Sequence, residues 1–258
     1  MDDRGYLMRK EAPLTDSEWE RLDKLVVDVA RRRLVGRRFI EIAGPFGPGF
    51  QVVPVDIYRD GKAVREFLPL EVIERDFTLH WRDIEASRQF GMPLELGAVA
   101  VAAASCAQTE DELILKRLLA VEGRDHLALG DWEEPGSAFA DVAAAREKLV
   151  SAGFYGPYAL VVSPTLYTRM QRIFRGSGRL ESRMIQEIAE GGIFQTPVLA
   201  ENQGILVAQG VENVDLAVAQ DLITAYLGPE GMDHRFRVLE SIALRIRHPG
   251  AICVLERA

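Results

Sequence analysis

Residues 77–115 read FTLHWRDIEASRQFGMPLELGAVAVAAASCAQTEDELIL, and the rest of the chain is organised around this segment. A strand-like piece and a short amphipathic piece come first, and Gly91 and Pro93 then break the pattern. The spacing of apolar residues predicts a helix from about Leu94 to Val121. Its first half is almost entirely small and apolar, which predicts burial on most sides, whereas its second half is amphipathic. Such a helix, on the order of 40 Å long, would be the spine of a domain.

Composition narrows the class of protein. The chain has 258 residues, enough for one large domain or two small ones, and a formal net charge of −8. An acidic chain is a poor non-specific nucleic-acid binder, so no nucleic-acid partner is expected. The N-terminus lacks the apolar region of a signal peptide, no apolar run is long enough to cross a bilayer, and only two cysteines occur. We therefore expect a cytoplasmic protein without a membrane partner.

The N-terminal region predicts one amphipathic helix. Thr15 and Glu18 form a capping-box pattern, and apolar residues recur at helical spacing as far as about Leu34. Five arginines cluster at the end of this helix: Arg31, Arg32, Arg33, Arg37 and Arg38. One interpretation is a solvated helix end whose positive charge complements the helix dipole.

Several strands are predicted along the chain. Segments 50–58 and 63–70 read as a hairpin around Asp60-Gly61, which on its own would be an ordinary edge hairpin. Four short strands are predicted at 193–199, 204–209, 214–219 and 222–227. Two final strands, at about 236–247 and 251–256, are predicted to complete the sheet beside the spine helix.

No catalytic pattern is evident. The four histidines lack metal-site spacing, and neither a nucleophile-elbow nor a phosphate-loop motif occurs. Glu110, Asp111 and Glu112 are a candidate metal or acid–base cluster, but a solvated helix face or an intersubunit ion pair is the favoured interpretation. The sequence therefore predicts a protein that is not an enzyme and has no metal site.

Several segments resemble the encapsulins, shell proteins with the capsid fold of tailed bacteriophages. The resemblance begins with FTLHWRDIEASRQFGMPLE, the Ala-rich helix and EDELI. It continues, in the family's order, in APLTDSEWERLD, LVGRRFIEIAGPFGPGFQ, FYGPYALVVSP, AVAQDLITAYLGPEG and FRVLESIALRIRHPGAICVLE. It covers essentially the whole chain.

The resemblance implies an α+β fold, that of the tailed-bacteriophage major capsid protein, with a P-domain, an extended E-loop hairpin and an A-domain. It divides this chain into an N-terminal helix with the start of the P-domain (1–47), the E-loop (48–70), the P-domain with its spine helix (71–133), the A-domain (134–222) and the C-terminal P-domain strands (223–258). The E-loop would reach over a neighbouring subunit.

The resemblance also implies a function. The chain would self-assemble into an icosahedral cage, a homo-oligomer of about 60 subunits or a permitted multiple. The cage would enclose cargo proteins that carry C-terminal targeting peptides, of the ferritin-like or dye-decolourising peroxidase type. A ferritin-like cargo would serve iron storage and protection against oxidative stress. The alternative is a phage or prophage major capsid protein that encloses DNA.

Site residues follow from the same resemblance. Cargo-peptide binding is assigned to six residues: Leu25, Arg33, Arg37, Glu41, Ile223 and Tyr226. For Arg37 and Glu41, a simple ion pair with each other is an equal alternative. A pore loop is assigned to Arg175, Gly176, Ser177 and Gly178, with Arg175 and Arg179 turned outward or paired with Glu181. Some relatives hold a flavin near the position of Trp81, but a packing role is expected here and no cofactor is predicted.

Overall fold

The computed structural model describes residues 5–59, 62–174 and 178–257. The helices in these ranges are α1 (Asp16–Arg33), α2 (Trp81–Phe90), α3 (Gly97–Ala120), α4 (Ser137–Ser151), α5 (Pro164–Arg169) and α6 (Glu181–Gln186). The strands are β1 (Glu41–Ala43), β2 (Val52–Arg59), β3 (Lys62–Pro69), β4 (Glu71–Leu79), β5 (Asp125–Ala128), β6 (Tyr158–Val162), β7 (Gly192–Gln195), β8 (Gln203–Ala208), β9 (Val214–Glu230), β10 (Asp233–Ile246) and β11 (Ile252–Glu256).

The strands form two sheets and a separate hairpin. The first sheet has the order β1-β9-β10-β4, and the second has the order β5-β11-β8-β6-β7. Helices α1 and α3 pack on each other, and α3 also packs on β4 and β10. The second sheet lies between two apolar clusters, because alternate residues of its central strands point to opposite sides.

The two predicted helices are confirmed. A capping box begins α1: the Glu18 backbone N–H donates to Thr15 Oγ1, and the Thr15 backbone N–H donates to Glu18 Oε2 at 2.7 Å. Trp19, Leu22 and Val26 are buried, as their spacing predicts. Helix α3 is 24 residues long and lies within the predicted range.

The expected burial of α3 on most sides is only partly right. Val99, Ala102, Ala103 and Cys106 are buried in the main core, but Val101 is 71% exposed. The small side chains let α1 and β10 approach one side of the helix closely. The opposite side of its apolar first half stays open within a single chain.

The predicted strands 214–219 and 222–227 are one strand, β9, of 17 residues. The polar pair Gln220-Asp221 interrupts the apolar pattern and so predicts a break between two strands. In the structure the pairing of β9 with β10 continues past this point through register shifts around Ser241. A β-bulge therefore absorbs the interruption without ending the strand.

The last strand lies in a different sheet from the one predicted. β11 pairs antiparallel with β8 and parallel with β5, not with the sheet beside α3. A 3-10 turn at Pro249–Ala251 separates it from β10. Ile252 and Val254 join the main core, whereas Cys253 and Leu255 join the second cluster. The first four residues of β11 are all apolar and buried, so the strand can fill this sandwiched place. The five domain boundaries stay predictions, although β11 shares its sheet with three strands from 134–222.

The hairpin of β2 and β3 is confirmed, with Val52 opposite Pro69 and Arg59 opposite Lys62. Its two strands differ in their surroundings. Val53 and Val55 of β2 are buried, and Val53 packs with Ala217 and Ala243 of the first sheet. Nearly every residue of β3 is exposed. The hairpin therefore contacts its own subunit through β2 and presents β3 outward.

Replacing Thr15 by alanine should destabilise the protein by about 1 kcal/mol, because an N-cap acceptor is lost. The measurement is the free energy of unfolding from chemical denaturation followed by tryptophan fluorescence. Lys24→Ala, at an exposed position of the same helix, is the control and should stay within about 0.5 kcal/mol of the parent. Equal effects of the two substitutions would show that the capping box is not a source of stability.

Candidate functional site around Arg37 and the first helix

Arg37 lies in the short 3-10 turn Gly36–Arg38 that follows α1. Its guanidinium donates to Glu110 through Nε at 2.7 Å and Nη2 at 2.8 Å. It also donates to Glu240 Oε2 at 2.7 Å and to Asp221 Oδ1 at 2.7 Å. Arg37 thus pairs with α3, β9 and β10, and not with Glu41, so the proposed Arg37–Glu41 ion pair is wrong.

The carboxylates of this network are unequal. Glu110 and Glu240 are fully buried, with 0% exposure, whereas Asp221 is exposed. Glu240 Oε1 has no hydrogen-bond partner among the described residues. Burial and the neighbouring Glu110 carboxylate raise the pKa of Glu240 well above its ordinary value, despite the opposing effect of Arg37. Arg37 thus meets three carboxylates, two of them buried, and the crowding of Glu110 and Glu240 opposes ionisation of Glu240.

Asp111 holds the chain just before Arg37. Its Oδ1 accepts hydrogen bonds from the backbone N–H of Val35 at 3.0 Å and of Gly36 at 2.8 Å. Burial nevertheless raises the pKa of Asp111 to about 6. Gly36 fits here because it lacks a side chain: a Cβ at this position would lie 2.5 Å from Ile114 Cδ1. These contacts fix residues 35–37 against the middle of α3.

The favoured interpretations of Glu110, Asp111 and Glu112 are therefore wrong for two of the three residues. Glu110 and Asp111 are buried within the subunit, where they are neither a solvated face nor available to a neighbour. Only Glu112 lies on the solvent side, where Lys116 and Gln108 donate to it. Among the described residues, no group of three or more His, Cys, Asp or Glu side chains is arranged to hold a metal ion.

A sequence signal for this network existed. Cys106, Glu110, Ile114 and Leu118 are spaced four residues apart, which places them on one stripe of α3. Since the other three are apolar, the stripe predicts that Glu110 is buried and needs a cation. Nothing in the local sequence of Arg37 or Glu240 identifies them as its partners.

The other assigned cargo residues occupy different surroundings. Leu25 is half-buried against the main core, and Arg33 is exposed. Ile223 is half-buried in a cavity of about 390 Å³ that Phe46 also lines. Tyr226 is only 4% exposed and shares a 2.9 Å hydrogen bond with His234 Nδ1.

Glu41 lies apart from Ile223 and Tyr226. It is exposed and pairs in register with Asp215. Ile223 is eight residues further along β9, on the order of 25 Å for an extended strand. Leu25, Arg33 and Ile223 thus lie at accessible positions. Arg37 and Tyr226 are bonded within the subunit. Glu41 lies away from Ile223 and Tyr226.

Of the assigned pore residues, Arg175, Gly176 and Ser177 lie outside the described residues. Gly178 has a φ of +65°, in the left-handed region that favours glycine. Arg179 forms an ion pair with Glu187 at 2.5 Å, and the expected partner, Glu181, is buried and accepts from the Phe139 backbone N–H. Arg179 thus takes the first of its two expected arrangements, with an exposed side chain, and not the pairing with Glu181; the pore assignment stays a prediction.

Trp81 begins α2. Its backbone N–H donates to Asp233 Oδ1 at 3.0 Å, and the Arg82 guanidinium carbon lies 5.5 Å from the centre of its ring. These contacts give Trp81 partners within its own subunit, and both its packing role and the lack of a cofactor stay predictions. No helix in the described part of the chain has the length and apolar character of a membrane span.

The raised pKa of Asp111 gives a pH prediction. Because the folded-state pKa of about 6 exceeds the ordinary value of 3.8, its stabilising contribution is fully present below about pH 4 and is lost as pH rises through about 6. Relative to Asp111→Asn, the parent should therefore lose on the order of 2–3 kcal/mol of unfolding free energy across this window. Urea denaturation of both proteins over the pH range measures the difference, in which any constant offset cancels.

Glu112→Gln is the matched control one residue away. Hydrogen bonds from Lys116 and Gln108 lower the pKa of Glu112, so its stabilising contribution is lost as pH falls, the opposite sign. A difference between the parent and Asp111→Asn that does not change with pH would contradict the assignment to Asp111.

The chain matches the family described as "Encapsulating protein for peroxidase" over residues 3–243. It is 45% identical to the "Type 1 encapsulin shell protein EncA" of Myxococcus xanthus, over 98% of this chain and 97% of that protein. It is also 31% identical to the "Ferritin-like-encapsulin shell fusion protein" of Pyrococcus furiosus, over 78% of this chain and 58% of that protein.

Solved structures show the same fold. The crystal structure of a virus-like particle from Pyrococcus furiosus matches with a TM-score of 0.83 and 27% identity, over 94% of this chain and 100% of that chain. The capsid of Myoviridae phage XM1 matches with a TM-score of 0.59 and 11% identity, over 85% and 90% of the two chains. The predicted α+β fold of tailed-phage capsid proteins is confirmed.

These relatives are named for a shell and not for a catalytic activity of the shell itself, which agrees with the prediction that the chain is a structural protein. The match to the family spans most of the chain, and the match to EncA spans nearly all of both proteins. The chain therefore belongs to the encapsulins, the family of encapsulating shell proteins.

Proposed function

We propose that copies of this chain assemble into a closed icosahedral cage in the cytoplasm, of about 60 subunits or a permitted multiple, that encloses a cargo protein. The observation that carries this proposal is the 45% identity to EncA along 98% of the chain. Exposed apolar side chains on the outward strand of the hairpin support it, since a monomer gains nothing from exposing them.

A capsid that encloses DNA is the second candidate, and the likeness to phage capsids favours it. That likeness, at 11% identity, concerns the fold alone. The net charge of −8 disfavours DNA, because packing a polyanion calls for a basic interior. The ratio of ultraviolet absorbance at 260 and 280 nm of purified particles separates the two, since enclosed DNA would dominate the spectrum.

The cargo we propose is a ferritin-like protein that stores iron, held through a C-terminal targeting peptide. The support is the Pyrococcus furiosus relative, whose name joins a ferritin-like part to an encapsulin shell part in one chain. A separate cargo needs a non-covalent attachment instead of a fusion. Mass spectrometry of proteins that co-purify with the particle from its host tests the identity of the cargo; a dye-decolourising peroxidase is the other expected type.

The peptide would bind along α1 and the facing part of β9. Leu25 and Ile223 offer partly exposed apolar surface, and Arg33, which has no partner among the described residues, offers a cation for the peptide backbone or its carboxylate. Arg37 and Tyr226 would support this surface from below, since their polar groups are bonded within the subunit. Modest affinity suffices, because an oligomeric cargo presents several tails at high effective concentration.

The double substitution Val64→Asp and Phe67→Asp should prevent assembly. Both side chains lie on the outward strand β3, and Phe67 is 65% exposed, so the isolated subunit does not depend on them. Each buried apolar side chain would contribute roughly 1.5–3 kcal/mol to a subunit contact. Size-exclusion chromatography and electron microscopy should show folded but unassembled subunits, with a normal circular dichroism spectrum.

Val211→Asp changes an exposed apolar residue between β8 and β9 and is the control for the same readout. It should assemble normally. Shells of normal size from the hairpin variant would overturn the role of β3 in assembly.

Ile223→Asp should yield empty shells when shell and tagged cargo are co-expressed, because a charge replaces apolar contact surface for the peptide. The measurement is the ratio of cargo to shell protein in purified particles. Tyr226→Asp is a poor test, since it would bury a charge in the core. The Val211→Asp control should load like the parent, and normal loading of Ile223→Asp would place the peptide elsewhere.

A further inference from the structure

A second cavity lies beyond the end of α1 and is distinct from the surface around Ile223. Its volume is about 700 Å³, within the range of small-ligand sites. Arg32, Arg33 and Arg38 line it from the α1 side, and Lys116 lines it from α3. The loop after β7 closes a further side.

The charges in this cavity are not balanced. Four cationic and two anionic side chains line it, in a chain whose net charge is −8. Lys116 donates to Glu112 at 2.9 Å, so these two charges offset each other. The Asp111 carboxylate is occupied by the backbone N–H groups of Val35 and Gly36.

The three arginines have different roles. Arg38 donates to the backbone carbonyls of Arg31 and Arg32, so it accounts for the positive charge expected at the end of α1. The side chains of Arg32 and Arg33 have no hydrogen bond or ion pair with any described residue. Arg38 therefore complements the end of the helix, and the side-chain donors of Arg32 and Arg33 remain available at the cavity.

Neutral donors stand on the facing wall. Thr196 lines the cavity and is buried, and the one hydrogen bond of its hydroxyl among the described residues is accepted from the Val198 backbone N–H at 3.3 Å. Its own proton is thus free to be donated. Gln195 beside it is exposed, and its side chain makes no hydrogen bond with a described residue. The cavity is rich in unused donors of both charged and neutral type.

We propose that this cavity binds a phosphate-type oxyanion, such as inorganic phosphate or pyrophosphate, between Arg32 and Arg33 on one wall and Thr196 and Gln195 on the other. The planar guanidinium forks match the paired oxygens of a phosphate, and hydrogen bonds between the two are charge-assisted. A carboxylate offers fewer oxygens for donors that approach from two walls. The site is tested on protein without cargo, so the result does not depend on cargo binding, although Arg33 also borders the surface proposed for the peptide.

The test is isothermal titration calorimetry of the purified full-length protein with pyrophosphate, in a phosphate-free buffer at about 0.15 M ionic strength, where long-range attraction is screened. One site per subunit is expected. The double substitution Arg32→Gln and Arg33→Gln should weaken binding at least ~10-fold, since each removes a charge-assisted contact. Arg31→Gln removes the neighbouring arginine that does not line the cavity, and it should leave the affinity unchanged.

Three results would overturn the proposal: no saturable binding to the parent, unchanged binding in the double variant, or an equal loss of affinity in the Arg31→Gln control. Should the double variant fail to fold by circular dichroism, Lys116→Gln on the α3 wall replaces it. That substitution frees Glu112 as an unmatched anion, so binding should weaken, and unchanged binding would equally refute the site.

Discussion

Glu110 and Glu240 are buried side by side and share a single guanidinium, that of Arg37. Removing one partner from such a pair is expected to cost 3–5 kcal/mol, on the order seen when a buried charge loses its counterion. This constraint brings α3, β10 and the turn after α1 to one point, with Asp221 of β9 at its edge. Asp111 and Gly36 strengthen the same junction through backbone hydrogen bonds and close packing. The position of α1 on the first sheet depends on it.

The arginines at the end of α1 form one cluster in the sequence, but in the structure some are bonded inside the subunit and others remain at the surface. The arginines at the end of α1 all carry the same charge, yet Arg37 is committed to the interior, Arg38 to the end of its helix, and Arg32 and Arg33 to neither. At the cavity beyond α1, Arg32 and Arg33 are therefore the cations without a partner among the described residues. A bound peptide or anion would meet a surface whose support is rigid, because the ions beneath it are already paired.

Much of the fold could be predicted from local sequence patterns, because single helices and hairpins carry their own start and turn signals. The capping box of Thr15 marks the start of α1, and the alternation around Asp60-Gly61 marks the hairpin. Predictions from local patterns were wrong where pairing between distant parts of the chain determines the strand. The polar pair Gln220-Asp221 predicts the end of a strand, but pairing with β10 continues past it. The sequence predicts that β11 joins the sheet of β10, but after the turn at Pro249–Ala251 it pairs with β8 instead.

The candidate site was harder to predict for the same reason. The spacing of Glu110 on α3 could have indicated a buried acid, but its partners lie 73 residues away at Arg37 and on β10. Likewise, the apolar character of Tyr226 and Ile223 is evident in the sequence, whereas only the fold distinguishes the buried one from the accessible one. Charge and apolar character can be read from each residue alone, whereas the contacts between distant residues depend on the whole fold.

The contacts of the hairpin have a consequence for how subunits meet. Besides the buried valines of β2, the Tyr58 backbone N–H donates to the Arg247 carbonyl oxygen at 3.0 Å, and the Tyr58 ring stacks on His248 at 4.8 Å. The hairpin is thus held at both ends of β2 by its own subunit. A free loop would lose conformational entropy on each encounter, whereas a hairpin held in this way arrives already ordered. If β3 contacts a neighbouring copy, as we propose, the direction of that contact is set by the fold of the single subunit before the two copies meet.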